Sequence, residues 1–309
     1  MIQPVFDVVG AGTMAVDDFL YVDQYPPSDH KVRINRRARH LGGQTATALA
    51  AATSLGARCA CAGVLGRDEF SCAMRDGLAA AGVDLRFMRE GDAAPIHSVV
   101  IAESTAKTRT IFYDLHRAVA FPACHAADLV HAARVLLIDQ LGPETGLEIA
   151  RLAKQSGIRV VLDLEWQDDD FIYSLLAIAT DVLVSHSFGS VLTGSDDPQH
   201  IVKSLYDGSR NCTAVTGGAH GCYAIVGSDP GVIHVPSFPV EVVETTGCGD
   251  VFHGAYAACL ARGFDCPAAL EFAAAAAAVY ASRPTGWEQL PSCADVARLL
   301  ARPLVPISG

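Results

Sequence analysis

"RVLLIDQLGPETGLEIARLAKQSGIRVVLDLE", residues 134–165, decides the fold. Its ends are two apolar runs, "RVLLID" (134–139) and "IRVVLDLE" (158–165), which read as buried strands. The intervening "TGLEIARLAKQSG" has helical spacing, with Thr145 and Glu148 placed as a capping box and Gly157 as the stop. Strands apolar throughout need cover on both faces, and a helix between two of them makes the pair parallel. "DVLVS" (181–185) reads as a further strand, with an apolar helical stretch around 171–179 before it. The expected fold class is α/β, a doubly wound, mostly parallel sheet.

Toward the N-terminus the alternation continues. "FDVVGAG" reads as a strand, "QTATALAAATSLG" as a helix ending at Gly56, "ARCACAGVLG" as a strand and "FSCAMRDGLAAAG" as a helix ending at Gly82. Two segments break the pattern. "FLYVDQYPPSDHKVRINRRARH" reads as a strand pair around a proline turn, with Lys31/Val32/Arg33/Ile34 alternating in its second half. "IHSVVIAE" (96–103) and "RTIFYDL" (109–115) read as two more strands. Together they predict a small antiparallel lid inserted at about 13–40 and 96–118 into one domain spanning 1–309, able to cover a site at the strand ends.

Bulk properties narrow the function. The chain has 309 residues, 50% apolar and 18% charged, with no repeat or low-complexity linker. Its formal net charge of −11 argues against a nucleic-acid partner, because such binding rests on Lys and Arg neutralising phosphates. The opening "MIQPVFDVVG" is strand-like without a basic leader, so the ten cysteines read as reduced, mostly buried thiols in a cytoplasmic protein. Cys59 and Cys61, one residue apart in a strand, make no zinc site. The longest apolar run, "FAAAAAAVYA" from Phe272, is too short to span a bilayer.

Gly10-Ala11-Gly12-Thr13-Met14-Ala15 fits the dinucleotide fingerprint, which needs a helix next. The ten or so residues before Pro26-Pro27 make a poor sheet-covering helix, so a nicotinamide-dependent dehydrogenase is only an alternative. Asp17 stands just past the carboxyl end of that first strand, where α/β proteins bind ligands. Gly42 and Gly43 allow close approach before the next helix, whose first turn offers Gln44 and Thr47 to sugar hydroxyls; tight packing of that helix is the plain reading. "HKVRINRRARH" holds five of the chain's 23 Lys and Arg residues, as an attractor for an anionic substrate or as a solvated strand face. Arg109 has the same two readings. "AVTGGAHGCYAI" (214–225) is a strand–turn–strand in which Thr216, Gly218 and Gly221 let the backbone approach a nucleotide, or simply turn.

"VETTGCGDVFHGAYAACLARG" (243–263) carries the strongest signal. A helix is predicted from Asp250, with Val251, Ala255, Ala258 and Cys259 on one face, Arg262 in the last turn and Gly263 as the stop. Amides of Gly247, Cys248 and Gly249 then gather at a helix N-terminus, which favours anions. Asp250 is either the helix cap or a carboxylate base kept ionised by that terminus.

This stretch resembles the second signature of the ribokinase-like (PfkB) carbohydrate kinases, D-T-x-G-A-G-D. "LGGQTATALAAATSLGARCACAGVLGRDEF" resembles the first, and "VTGGAHG" the family's nucleotide loop. "VDDFLYVDQYPPSDHKVRI" and "APIHSVVIAESTAKTRTIFYD" look most like the ketohexokinase and sulfofructose kinase branch. The resemblance implies phosphoryl transfer from ATP with Mg2+ to a sugar, a ketose or anionic sugar first. Asp250 would be the general base and Gly247–Gly249 the anion hole. Asp17, Gly43, Gln44 and Thr47 would line the sugar pocket, with Arg109 reaching in from the lid. Thr216, Gly218 and Gly221 would border ATP. Lys31 is a candidate for binding an anionic group on the acceptor. A nucleoside kinase of the same fold, with Phe19 and Tyr21 as a platform, is the nearest alternative; a sugar-binding sensor is a further one. A homodimer through the lid is a family expectation. Cys248 replaces an alanine, Glu244 an aspartate that helps hold a monovalent cation, and "SHSF" (185–188) the N-x-x-E motif near magnesium. The metal is therefore expected on ATP phosphates and water, and a monovalent-cation requirement stays open.

Overall fold

The two apolar runs of residues 134–165 are strands, side by side and parallel, in register from Val135↔Arg159 to Asp139↔Asp163. A computed structural model describes residues 4–106, 108–165 and 171–301. β1 (Phe6–Ala11) leads into β2 (Ala15–Val22), then β3 (Arg36–Gly42), α1 (Gln44–Ser54), β4 (Cys59–Leu65), α2 (Glu69–Ala80) and β5 (Asp84–Glu90). Next come β6 (Ile96–Glu103), β7 (Thr108–Asp114), α3 (Ala126–Ala132), β8 (Ala133–Asp139), α4 (Pro143–Ser156), β9 (Arg159–Leu164), α5 (Phe171–Ile178) and β10 (Asp181–Ser185). The remainder is α6 (His186–Thr193), α7 (Pro198–Leu205), β11 (Cys212–Thr216), β12 (Cys222–Val226), β13 (Asp229–Val235), α8 (Cys248–Ala261), α9 (Cys266–Ala281) and α10 (Cys293–Leu300).

Nine strands form the main sheet in the order β13-β12-β11-β10-β9-β8-β1-β4-β5. All pairs from β11 to β5 are parallel, and β12 and β13 close one edge antiparallel. Alternate side chains supply two cores, as the two-sided apolar pattern demands. Val8, Cys59, Leu137 and Val161 pack toward α1, α8 and α9, whereas Val9, Ala60, Leu136 and Val160 pack toward α3, α4 and α5. The lid is a separate sheet, β3-β2-β6-β7; its outer pairs are antiparallel as expected, but the central pair β2–β6 is parallel, so the sheet is mixed. The chain runs one way from β1 to β4 and the other to β8, so the crevice between β1 and β8 is a topological switch point, where such sheets bind ligands.

Several local expectations change. Residues 31–34 are not in a strand; β3 starts at Arg36, paired with Tyr21 near the end of β2, so the alternating stretch has no partner strand beside it. The capping box at Thr145 and Glu148 does not form: α4 begins earlier, with Gly142 at its N-cap and Pro143 in its first turn, while the Thr145 hydroxyl donates to the Phe121 carbonyl at 2.7 Å. The Gly157 stop holds, at φ +69°. No helix follows Gly12; the chain enters lid strand β2 directly, which removes the dinucleotide fingerprint's required helix and the dehydrogenase reading with it. Helix α8 begins at Cys248 and is buried on every side from Val251 to Ala261, rather than on one face. No described helix is long and apolar enough to cross a membrane.

Candidate active site

Gly247 is the N-cap of α8, in the left-handed region at φ +83°, and this turn sets the helix start two residues ahead of Asp250. Asp250 is therefore not the cap. Its carboxylate accepts no hydrogen bond and forms no ion pair among the described residues, and it is half-buried. Among the described residues the N–H groups of Gly249 and Asp250 have no acceptor, whereas that of Cys248 donates to Thr245 O at 3.2 Å. A methyl group at Gly249 would meet nothing within 4 Å, so the side of this first turn that Gly249 presents is open. The Cys248 thiol is turned inward, pushed up to about 12 by burial and the Asp250 carboxylate, and is not a nucleophile.

Helices α1 and α8 cross closely because both are built from small residues. A Cβ on Gly254 would run into the backbone carbonyl of Ala48. This contact brings the first turn of α1, with Gln44 and Thr47, beside the first turn of α8. The Trp287 indole donates to the Thr47 hydroxyl at 3.1 Å, leaving that hydroxyl's own proton for another acceptor. Gln44 is buried and already engaged: its Nε2 donates to Asp163 Oδ1 at 3.0 Å, and its Oε1 accepts from Gln140. It orders the site's floor from within.

That floor is a set of acids brought together by strand register. Asp139, at the switch point, is fully buried and accepts from Thr13 N (2.6 Å), Thr45 Oγ1 (2.8 Å) and Leu141 N (2.8 Å). Burial pushes its carboxyl up to about 6 despite those donors. Its register partner Asp163 is also buried, with Oδ2 3.3 Å from His253 Nδ1. Glu165 stands at the solvent-open mouth, where crowding by protein and the Asp163 charge push it up to about 7. Burial, then the carboxylates of Asp163, Glu165, Asp17 and Asp139, hold Asp250 well above the ordinary carboxylate range. The helix N-terminus was expected to keep Asp250 ionised; desolvation and four like charges outweigh it.

The lid presents Asp17 toward this floor. Asp17 lies against Gly42, where a Cβ would collide with its carboxylate, and bonds to Ser98; burial raises its carboxyl. Gly43, at φ +92°, lets the backbone of residues 13–15 cross directly over it. Arg109 on β7 reaches Thr245 Oγ1 at 3.4 Å, spanning lid and α8 loop. Lys31 sits in the exposed β2–β3 connection, outside the lid strands. Phe19 is fully buried beneath Tyr21. On the other side, Thr216 ends β11, and Gly218 and Gly221, at φ +57° and +80°, shape the turn into β12; a side chain on Gly221 would strike the Val235 carbonyl. Glu244 accepts from Thr245 N, Thr246 N and the Thr246 hydroxyl, so it braces the loop before α8.

Asp139, Gln140, Asp163, Glu165 and His253 belong to this site, and the sequence reading did not single them out. The signal was present: "LLID" and "VVLDLE" end apolar strands on acids, at the edge where α/β ligands bind. His253 bridges Gly249 O at 2.9 Å and Leu183 O at 3.0 Å, and nothing in its spacing revealed that.

An α/β sheet with a β lid, a glycine-capped helix start and an acid among its open amides defines a phosphotransferase-type site. The pfkB family carbohydrate kinase model matches residues 6–293, and the chain belongs to this family. It is 28% identical over 296 residues to the ATP-dependent ribose-1-phosphate kinase of Halopiger xanaduensis, covering 95% of this chain and 98% of that one. The ribokinase of Arabidopsis thaliana, solved with ribose and ATP, superposes with a TM-score of 0.84 at 21% identity, covering 98% and 100% of the two chains. An E. coli chain described as a ribokinase II, solved with ATP and Mg2+, gives 0.80 at 21% identity, covering 95% and 98%. These relatives are ribokinase types; a place in the ketohexokinase branch is not shown by them.

Proposed function

We propose that this chain transfers the γ-phosphoryl group of ATP, bound with Mg2+, to a hydroxyl of a sugar or sugar-like acceptor held beneath the lid. The observation that carries this reading is Asp250: a carboxylate in the first turn of a helix, neither its cap nor hydrogen-bonded, beside two unfilled amides. A raised proton affinity suits it to accept the hydroxyl proton as the bond to phosphorus forms. Gly249 and Asp250 N–H would hold the phosphoryl oxygens, joined by Cys248 N–H if it leaves Thr245 O. Asp17, Thr47 and the Gly42-Gly43 turn would orient the acceptor, and the Gly218–Gly221 turn would seat the nucleotide. Mg2+ would be carried on the nucleotide phosphates, where it neutralises charge.

A ketose or anionic sugar, as in the ketohexokinase and sulfofructose kinase branch, is our first reading of the acceptor. A ribose-type or nucleoside acceptor is the second, supported by the likeness to a ribose-1-phosphate kinase; the platform expected at Phe19 and Tyr21 is closed, since Phe19 is fully buried and Arg36 covers Tyr21. An ADP-release screen over ketoses, aldoses, polyols, nucleosides and anionic sugars tests both. Turnover with ketoses or anionic sugars supports the first, turnover with ribose-type sugars or nucleosides alone selects the second, and none with any acceptor overturns the kinase reading. We also propose a homodimer through the lid, where Ile111 (47% exposed) and Phe112 (54%) leave β7 uncovered. Light scattering showing only monomer would contradict it.

A further inference from the structure

We propose that Arg36, stacked on Tyr21, binds an anionic substituent of the acceptor, a phosphate ester in the first place, and so selects phosphorylated over neutral sugars. The inference rests on the kinase reading above.

Strand register places four residues in one row across the lid: Arg36 on β3, Tyr21 on β2, Ala102 on β6 and Arg109 on β7. Residues directly opposite in adjacent strands point to the same face. That face looks onto the active site, since Asp17 lies four residues from Tyr21 on β2 and Arg109 reaches Thr245 beside the α8 turn. With strands about 4.8 Å apart, the two arginine backbones are roughly 14 Å apart, with the small Ala102 between Tyr21 and Arg109 in the row.

The Arg36 guanidinium carbon sits 3.8 Å from the Tyr21 ring centroid. Stacking, with a hydrogen bond to the Tyr21 hydroxyl, orders the guanidinium, and its remaining N–H groups can meet an oxyanion at the edge. No carboxylate of the described residues pairs with Arg36. Arg39 is the contrast. Three residues along the same strand, it faces the outside of the lid and is taken up by Asp18 at 2.7 Å and Glu69 at 2.8 Å. Arg39 is neutralised on the outer face, whereas among the described residues Arg36 has no acidic partner; Arg37, also on the outer face, has none either. An anionic acceptor also needs such a counter-charge here, because Asp17, Asp139, Asp163, Glu165 and Asp250 make the floor negative. The row of Arg36 and Arg109 is displaced along the lid from Asp17 by about 13 Å of strand, so substituent and reacting hydroxyl would occupy opposite ends of the acceptor.

The test compares ribose and fructose, each as the neutral sugar and as its 1-phosphate, by kcat/KM from ADP release. The wild type is expected to prefer the phosphate ester in at least one pair. Arg36→Ala should lower the ratio of phosphorylated to neutral kcat/KM at least tenfold, and Arg36→Lys should recover only part of it. Arg39→Ala, on the outer face, should leave the ratio unchanged. A ratio within twofold of wild type in Arg36→Ala, or a wild type that prefers every neutral sugar, overturns the proposal while leaving the kinase reading intact. No ADP release with any of the four acceptors overturns the proposal, and the broader screen then decides whether the kinase reading falls with it.

Discussion

His253 Nδ1 stands 3.3 Å from Asp163 Oδ2, both side chains buried, one helical turn below the Asp250 carboxylate. Asp163 is the charged neighbour that most raises Asp250, after burial itself. Removing its charge therefore lowers the pH at which Asp250 ionises. Asp163→Asn should shift the acid limb of the kcat/KM pH profile downward, and should cost about 1–3 kcal/mol of stability because its partners lose a buried acceptor. An unmoved acid limb in a folded variant would show that Asp163 does not act on the base.

Stability should fall with rising pH across the weakly acidic range. Asp7, Asp18, Asp84 and Asp295 have lowered carboxyls, so the stability they add is present above the usual carboxylate range and lost only in stronger acid. Asp139 and Glu165 have the opposite sign, at about 6 and about 7. From about pH 4 upward the unfolded chain releases their protons while the folded chain keeps them, so stability declines until the folded values are passed. For buried Asp139, a rise from 3.8 to about 6 corresponds to about 3 kcal/mol. The Tm of the ligand-free protein should peak near pH 5 and drop toward pH 8; a Tm rising steadily to pH 8 would refute this sign.

Two glycines of α8 should respond oppositely to alanine. Gly254→Ala drives a methyl group into the Ala48 carbonyl and should cost about 1–3 kcal/mol, read as a Tm loss of several degrees. Gly249→Ala meets no protein atom and gains helix propensity of about 0.5–1 kcal/mol, so its Tm should hold or rise. Its methyl would crowd a phosphoryl group seated against this first turn, and kcat should fall at least about tenfold, as for other losses at an anion hole. Full activity in Gly249→Ala would place the phosphoryl group elsewhere.

What the sequence made legible was the part governed by short-range rules. Two-sided apolar strands, the Gly56, Gly82, Gly157 and Gly263 stops and the Gly247–Asp250 turn all follow from neighbours within a few residues. Thr145 is not a cap because α4 already begins at Pro143 after Gly142, and inside the helix its hydroxyl donates to Phe121, 24 residues earlier. The ionisation of Asp250 had the wrong sign because Asp139 and Asp163 reach it only through the pairing of β8 with β9. Which of the lid arginines faces the site was equally hidden, since a one-residue change of register exchanges the inward Arg36 for the outward Arg37.

Asp250→Asn tests the central claim most directly. The substitution keeps the shape of the α8 turn and removes both the base and a crowded charge. With the best acceptor from the screen, kcat should fall by at least about two orders of magnitude, while Tm at pH 8 rises above wild type and the gain shrinks at pH 5, as a raised carboxyl requires. Turnover within a few-fold of wild type in that folded variant would contradict the assignment of Asp250 as the proton acceptor.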